Sequence, residues 1–161
     1  MTIEPGARLP DAPLTTIGRD GPQIVRLHDR LAGRRVVLFA LPGAFTRGCT
    51  ATHMPSFVRT ADAFREKGAD EVICLAVNDP FVLNAWGHET GAHEAGITLL
   101  GDPEGTFTRA VGMEFSAPQI GLIGRSNRYA LVADDAIVKT AQIDEPGACS
   151  LSTGESLLAT L

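Results

Sequence analysis

Cysteine is scarce in this chain and odd in number: Cys49, Cys74 and Cys149 are the only three. An odd count does not make a disulfide scaffold. There is no CxxC pair, which argues against a dithiol–disulfide reductase. There is no HxxxH pair and no cysteine–histidine cluster at ligand spacing, although His53 follows Cys49 on the same stretch, so neither a metal nor a cofactor is expected. Positive charge is also short. The formal net charge is −5, whereas a nucleic-acid partner needs clustered Lys and Arg. Long apolar runs are missing: residues 36–41 and 72–77 are far too few to cross a bilayer. The opening MTIEPGARLPDAP carries acid and proline where a secretory signal would have a basic segment and an apolar run. The expectation is a cytoplasmic protein with no membrane or nucleic-acid partner, whose cysteines are either inert and buried or chemically active.

What is present is an ordinary globular composition. With 161 residues, 44% hydrophobic and 20% charged, the chain suits one domain over residues 1–161. Pro5, Gly6, Pro10, Pro13, Gly18, Gly21 and Pro22 break the first 34 residues into turns and short strands, with one helical turn in IVRLHDRLAG ending at Gly33. RRVVLFALPG is a continuous apolar run closed by Pro-Gly, the mark of a central strand buried on both faces. From residue 48 to 67, Met54, Phe57, Val58, Ala61 and Phe64 recur at helical spacing, and Gly68 suits the C-terminal cap.

EVICLAV reads as a second buried strand, and NDPFVLNAWGHETGA as a helix opening at Asp79 and Pro80. ITLLGDPEGTFTRAVGM adds a strand and a helix. RYALVADDAIVKTAQI reads as a hairpin turning at Asp134-Asp135, and a short helix near residues 154–161 closes the chain. The class is α/β: a mixed sheet with helices on both faces, ending in a β-hairpin plus helix.

The segment LPGAFTRGCTATHMP poses the chemical question. It sets Cys49 behind a Pro/Gly turn, at the start of a helix and at the C-terminal edge of a central strand, where open α/β sheets make their sites. Amides and dipole at a helix N-terminus favour the thiolate, which is the nucleophilic form of cysteine. Thr46 brings a hydroxyl to the turn, and Pro42 stiffens it and shields one side. Each residue alone also has an ordinary structural explanation: a helix cap for Thr46, a turn former in Pro42, a buried thiol in Cys49.

Together, PGAFTRGCTATHMP resembles the active-site segment of type II (peroxiredoxin-5-like) peroxiredoxins: a Pro-Gly-Ala-Phe-Thr turn, two residues, the peroxide-reacting cysteine, then His and Pro. The likeness continues through VVLFALPGAFT, GADEVICLAVNDPFVLNAW, LLGDPEGTFTRAVGM and RSNRYALVADDAIVK, nearly the whole chain. The resemblance implies a thioredoxin-like fold and thiol-dependent reduction of hydrogen peroxide and alkyl hydroperoxides through a sulfenic acid. It implies Cys49 as the peroxidatic cysteine, Thr46 and Pro42 as its turn partners, and Arg128 of RSNRY as the distant pocket arginine. Arg125 competes for that role, but the motif sets its arginine directly before the aromatic Tyr129. It also implies a thiol reductant, thioredoxin or glutaredoxin with glutathione, and a homodimer.

Arg47 departs from the family pattern, which has proline there. Its loss frees a φ angle, and the new charge stands two residues from Cys49. For recycling the sulfenic acid the expected resolving residue is Cys149, with Cys74 or an external thiol as the alternatives. Cys74 lies in the apolar run EVICLAV, whereas Cys149 lies in EPGACSLSTG, a Pro/Gly/Ser-rich stretch with the look of a mobile loop, and its ACSL resembles the resolving segment of some members. His53 falls one helical turn beyond Cys49, either as a catalytic partner or as a support for the turn. Trp86, His88 and His93 are assigned to structure. The alternatives are a non-enzymatic redox sensor, built from the same residues, and a Cys49/His53 hydrolase, which lacks a third orienting group.

Overall fold

The computed structural model describes residues 1–161. Its framework is a seven-stranded mixed sheet in the order β2-β1-β5-β4-β3-β8-β9. Those strands are β1 (Pro13–Gly18), β2 (Gly21–Arg26), β3 (Arg35–Ala40), β4 (Glu71–Ala76), β5 (Thr98–Gly101), β8 (Tyr129–Asp134) and β9 (Ile137–Ile143). β3, β4 and β5 run parallel, while β8 pairs antiparallel with β3 on the other side. β3 and β4 occupy the middle because their apolar runs can be buried on both faces: every residue of β4 is buried, and so are the five from Val36 to Ala40.

Side chains alternate across the sheet and feed two cores. Val37, Phe39, Val72 and Cys74 meet helices α2 (Met54–Glu66), α3 (Pro80–Glu89) and α5 (Gly154–Leu158), which contribute Phe57, Phe64, Trp86 and Leu157. Val36, Leu38, Ile73 and Leu75 face the opposite way, toward Leu27 and Leu31 of α1 (Leu27–Leu31) and Phe107 of α4 (Thr106–Ala110). Each fully buried Val, Leu, Ile or Phe contributes about 1.5–3 kcal/mol. This is the mixed α/β sheet with helices on both faces expected from the sequence.

Three local features differ from the sequence reading. The hairpin between β8 and β9 turns one residue later than Asp134-Asp135: Asp134 pairs with Ile137, and the two turn residues are Asp135 and Ala136, at φ 49° and 66°. Positive φ at both central positions gives a twist that matches the flanking strands. A second, two-stranded sheet, β6 (Glu114–Ala117) with β7 (Leu122–Ser126), had no expectation attached. Its strands are short and half exposed, so they lack a long apolar run. Finally, the helix that begins beyond Thr46 is not α-helical throughout. Cys49–His53 form a π turn in which the Met54 amide reaches back to the Cys49 carbonyl.

α5 matters because it docks the C-terminal end of the chain on the helix that carries Cys49. Gly154 donates its amide to Ser56 Oγ at 2.9 Å, and Ser56 Oγ in turn donates to the His53 carbonyl at 2.6 Å. A Cβ at Gly154 would stand 2.6 Å from the Ser56 carbonyl oxygen and closer still to Thr60 Oγ1. Gly154→Ala is therefore expected to destabilise the fold by about 1–3 kcal/mol through overpacking, lowering the thermal midpoint by several degrees in a calorimetric scan; an unchanged midpoint would show that the α2–α5 contact is looser than described.

Candidate active site

The turn from β3 into the helix is tied down at four points. Thr46 Oγ1 donates to the Gly43 carbonyl at 2.8 Å, and the Thr46 amide reaches the same oxygen. The Ala44 amide donates to Asn78 Oδ1 at 2.9 Å, and Arg125 Nη1 donates to the Pro42 carbonyl at 3.0 Å. These ties hold Phe45 at φ 64°, a left-handed conformation that costs a non-glycine residue about 1–2 kcal/mol. Thr46 then starts the helix, its carbonyl accepting from the Thr50 amide, so Cys49 sits in the first turn. Thr50 is held in turn by Trp86, whose Nε1 donates to Thr50 Oγ1 at 3.1 Å.

Arg128 reaches the sulfur from the other side of the sheet's edge. Ala40, the last residue of β3, pairs with Tyr129, the first of β8. The register thus sets Arg128, one residue before Tyr129, beside the point where β3 releases its turn. Arg128 is buried; its Nη2 donates to Cys49 Sγ at 3.6 Å and its Nη1 to the Ala148 carbonyl at 3.1 Å. Arg125 does not contact the sulfur and instead holds the Pro42 carbonyl.

Cys49 has no solvent exposure, yet a thiol sealed in hydrocarbon would have no guanidinium against it. Its neighbours Pro42, Thr46, Gly48 and Arg128 line a cleft of about 300 Å³ walled by Phe115 and Leu122 and reaching Cys149. Arg47 stands exposed on the same cleft. Larger depressions lie elsewhere, against Asp62, Arg65 and Glu94 and against Pro13, Asp102 and Glu104, and hold no cysteine. Cys74 lies opposite Phe39 in the centre of the sheet, where burial, and then the nearby Cys49, push its thiol well up. Cys149 is half-buried; burial raises its thiol while Arg128 pulls the other way.

His53 is fully buried beside the rings of Phe39 and Phe57. Its Nε2 lies 2.9 Å from the Ser152 carbonyl, and a carbonyl can only accept, so Nε2 carries the proton. The ring supports the turn and the C-terminal loop, and its Nδ1 has no hydrogen-bond partner, Cys49 Sγ included. Asn78 and Asp144 were not singled out from the sequence. Asn78 acts through a contact with Ala44, distant in the chain, whereas Asp144 folds back onto the loop a few residues ahead of it.

A cysteine in the first turn of a helix, with a buried guanidinium on its sulfur and a cleft at its side, on a thioredoxin-like sheet, is an arrangement suited to thiol-based redox chemistry. The comparisons with known proteins agree. The Redoxin family model matches residues 4–158. A chloroplastic peroxiredoxin-2E-2 of Oryza sativa subsp. japonica is 43% identical, covering 99% of this chain and 73% of the rice protein. Peroxiredoxin-2C of the same plant is 40% identical over 97% of this chain and 96% of its own. Reduced Prx3 from Vibrio vulnificus, solved in complex with H2O2, superposes with a TM-score of 0.92 at 36% identity, covering 99% of each chain. The chain belongs to the type II peroxiredoxins, and it is a thiol peroxidase, an oxidoreductase that reduces peroxide at the expense of a thiol reductant.

Burial lowers the His53 ring to about pH 4, with the Ser152 carbonyl opposing and Arg128 assisting. Its folded value therefore lies below the ordinary 6.5. As pH falls from 6.5 toward 4 the unfolded chain takes up a proton that the folded one refuses. Stability should fall by up to about 1.4 kcal/mol per pH unit, roughly 3 kcal/mol in all. Urea midpoints measured across that window should show this slope in the wild type and a much shallower one in His53→Gln; equal slopes would remove His53 as the cause.

Proposed function

We propose that Cys49 is the residue that attacks peroxide, that Arg128, Thr46 and Pro42 form its site, and that Cys149 resolves the product. The observation that carries the reading is the contact of Arg128 Nη2 with Cys49 Sγ at 3.6 Å. The thiolate of Cys49 attacks one oxygen of the hydroperoxide in line with the O–O bond, which breaks. Sulfur becomes sulfenic acid, and hydroxide or alkoxide departs. Charge moves from sulfur to the leaving oxygen, so a donor that touches the sulfur beforehand is already in place to follow it.

Thr46 Oγ1 donates its hydrogen bond to the Gly43 carbonyl, which leaves the oxygen's lone pairs free to accept a hydrogen bond from the entering hydroperoxide. Pro42, on the cleft wall and with its carbonyl held by Arg125, keeps water from one side. The substrates are hydrogen peroxide and alkyl hydroperoxides, for which the apolar walls Phe115 and Leu122 suit the alkyl part. The Vibrio vulnificus neighbour with H2O2 bound supports the same reading.

Cys149 condenses with the sulfenic acid, forming the disulfide and releasing water, and thioredoxin or glutaredoxin with glutathione returns both thiols. Cys149 suits this better than Cys74 because it lies on the cleft, whereas Cys74 would have to leave the middle of β4. Three free thiols suit a reducing compartment, and we place the protein in the cytoplasm. Phe45 and Phe81, both largely exposed, offer apolar surface to a second copy in a homodimer. A redox sensor would share these residues, and turnover with a recycling thiol separates it from the enzyme.

Cys49→Ser is expected to abolish hydroperoxide consumption. Arg128→Met should lower kcat/KM by about 10²–10³-fold, the usual cost of one oxyanion donor, in a steady-state assay run with the thioredoxin and the glutaredoxin systems in parallel. Turnover retained in Cys49→Ser would end the assignment. Stoichiometric hydrogen peroxide followed by peptide mapping should yield a Cys49–Cys149 disulfide with Cys74 free; a lasting sulfenic acid on Cys49 would exclude both internal thiols as resolvers.

A further inference from the structure

The loop that carries Cys149 is organised by one buried carboxylate. Asp144 accepts from the amides of Ser150, Leu151 and Ser152 and from the hydroxyls of Ser150 and Ser152, the last at 2.6 Å. Its own amide donates to the Arg128 carbonyl, and its carbonyl accepts from Asn127 Nδ2. Burial by itself would raise the acid, but the Ser152 hydroxyl and the three amides outweigh it and bring it to about 2, so the carboxylate is charged at any working pH. The loop held in this way presents two carbonyls to the site: Ala148 to Arg128 Nη1 and Ser152 to His53 Nε2.

The guanidinium of Arg128 therefore bridges the two cysteine segments. One nitrogen is on Cys49 Sγ and the other on the carbonyl of the residue just before Cys149. A disulfide needs the sulfurs about 2 Å apart, and while the loop stays in place the guanidinium ties the backbone next to Cys149 through the Ala148 carbonyl. Arg128 Nε has no partner, so only the loop and the sulfur orient its head.

We propose that Asp144 is a positioning residue that latches the Cys149 loop, aiming Arg128 at Cys49 for the peroxide step and holding Cys149 back from the resolving step. The second half rests on the resolving role proposed above for Cys149. Asp144 touches neither sulfur; it acts through the loop and through Arg128. Its loss has opposite effects on the two half-reactions. Oxidation of Cys49 slows because the guanidinium is no longer aimed. Condensation of the sulfenic acid with the Cys149 thiol, which forms the S–S bond and releases water, quickens because the loop is free.

Trp86 reports on both steps, since it is the only tryptophan and is hydrogen-bonded to Thr50 beside Cys49. Reduced Asp144→Asn is mixed with hydrogen peroxide in a stopped-flow fluorimeter and its two phases are compared with those of the wild type. The first should slow on the order of 10–100-fold, the usual penalty for a misplaced catalytic group, while the second speeds up severalfold. A residue that only stabilised the fold would lower the amplitudes and leave the rate constants of the folded molecules alone. Unchanged constants, or both phases slowed together, would overturn the latch. Should Asp144→Asn not fold, the Ser150→Ala/Ser152→Ala pair removes two donors and keeps the carboxylate. It should give the same opposed shifts at smaller size, and wild-type constants there would overturn the latch equally. Cys149→Ser should lose the second phase. Its survival would remove Cys149 as resolver, and the first-phase constant of Asp144→Asn would then decide for or against Asp144.

Discussion

The contact between Arg128 and Cys49 is the constraint on which the rest of the site depends. The two residues are 79 positions apart, and no local preference brings them together. What joins them is strand register: Ala40 opposite Tyr129 leaves the ends of β3 and β8 side by side, so the turn after one and the residue before the other share a single edge. A slip of one residue would send the side chains of β8 to the other face of the sheet. Both cores oppose it, because Ala130 and Val132 belong to one and Tyr129, Leu131 and Ala133 to the other. Packing energy spread over the whole sheet thus holds one guanidinium against one sulfur.

Burial makes this contact effective and also restrictive. Cys49 belongs to the same buried core as Phe39, Met54 and Phe57, and its sulfur shares that low-dielectric setting with Arg128. Charge interactions are stronger there than in water. The same burial leaves Cys49 no room to meet another thiol without movement. The π turn at Cys49–His53 lies where such movement would begin, and single π turns inside helices recur at functional sites. It is braced on one side by Trp86 through Thr50 and on the other by Ser152 through His53, so the helix start, α3 and the C-terminal loop are mechanically connected.

Much of the fold was legible because its signals are long. RRVVLFA and EVICLAV can only be satisfied in the middle of a sheet, and the Met54–Phe64 spacing fits only a helix with one buried face. The β6–β7 ribbon escaped notice because Glu114–Ala117 and Leu122–Ser126 are short and partly exposed, with no periodicity strong enough to read. Adjacent aspartates carry the same turn signal, and only the pairing of Asp134 with Ile137 sets the hairpin turn at Asp135-Ala136, one residue beyond Asp134-Asp135. The Cys149 segment looked mobile from its Pro, Gly and Ser content. In the structure a single carboxylate a few residues upstream gathers it, and composition does not reveal which acid folds back onto the loop.

The sequence by itself determined the setting of Cys49: the Pro42-to-Thr46 turn, Cys49 in the first turn of the following helix, and the α/β alternation that puts this turn at a strand's C-terminal end. These are properties of neighbours in the chain, and local rules suffice to read them. Tertiary structure alone decided that Arg128 touches the sulfur while Arg125 supports Pro42, that Cys74 is walled into the sheet, and that Asn78 braces the turn. Each of these depends on which distant segments the sheet and its two cores bring within a hydrogen bond's length, a quantity set by packing of the whole chain.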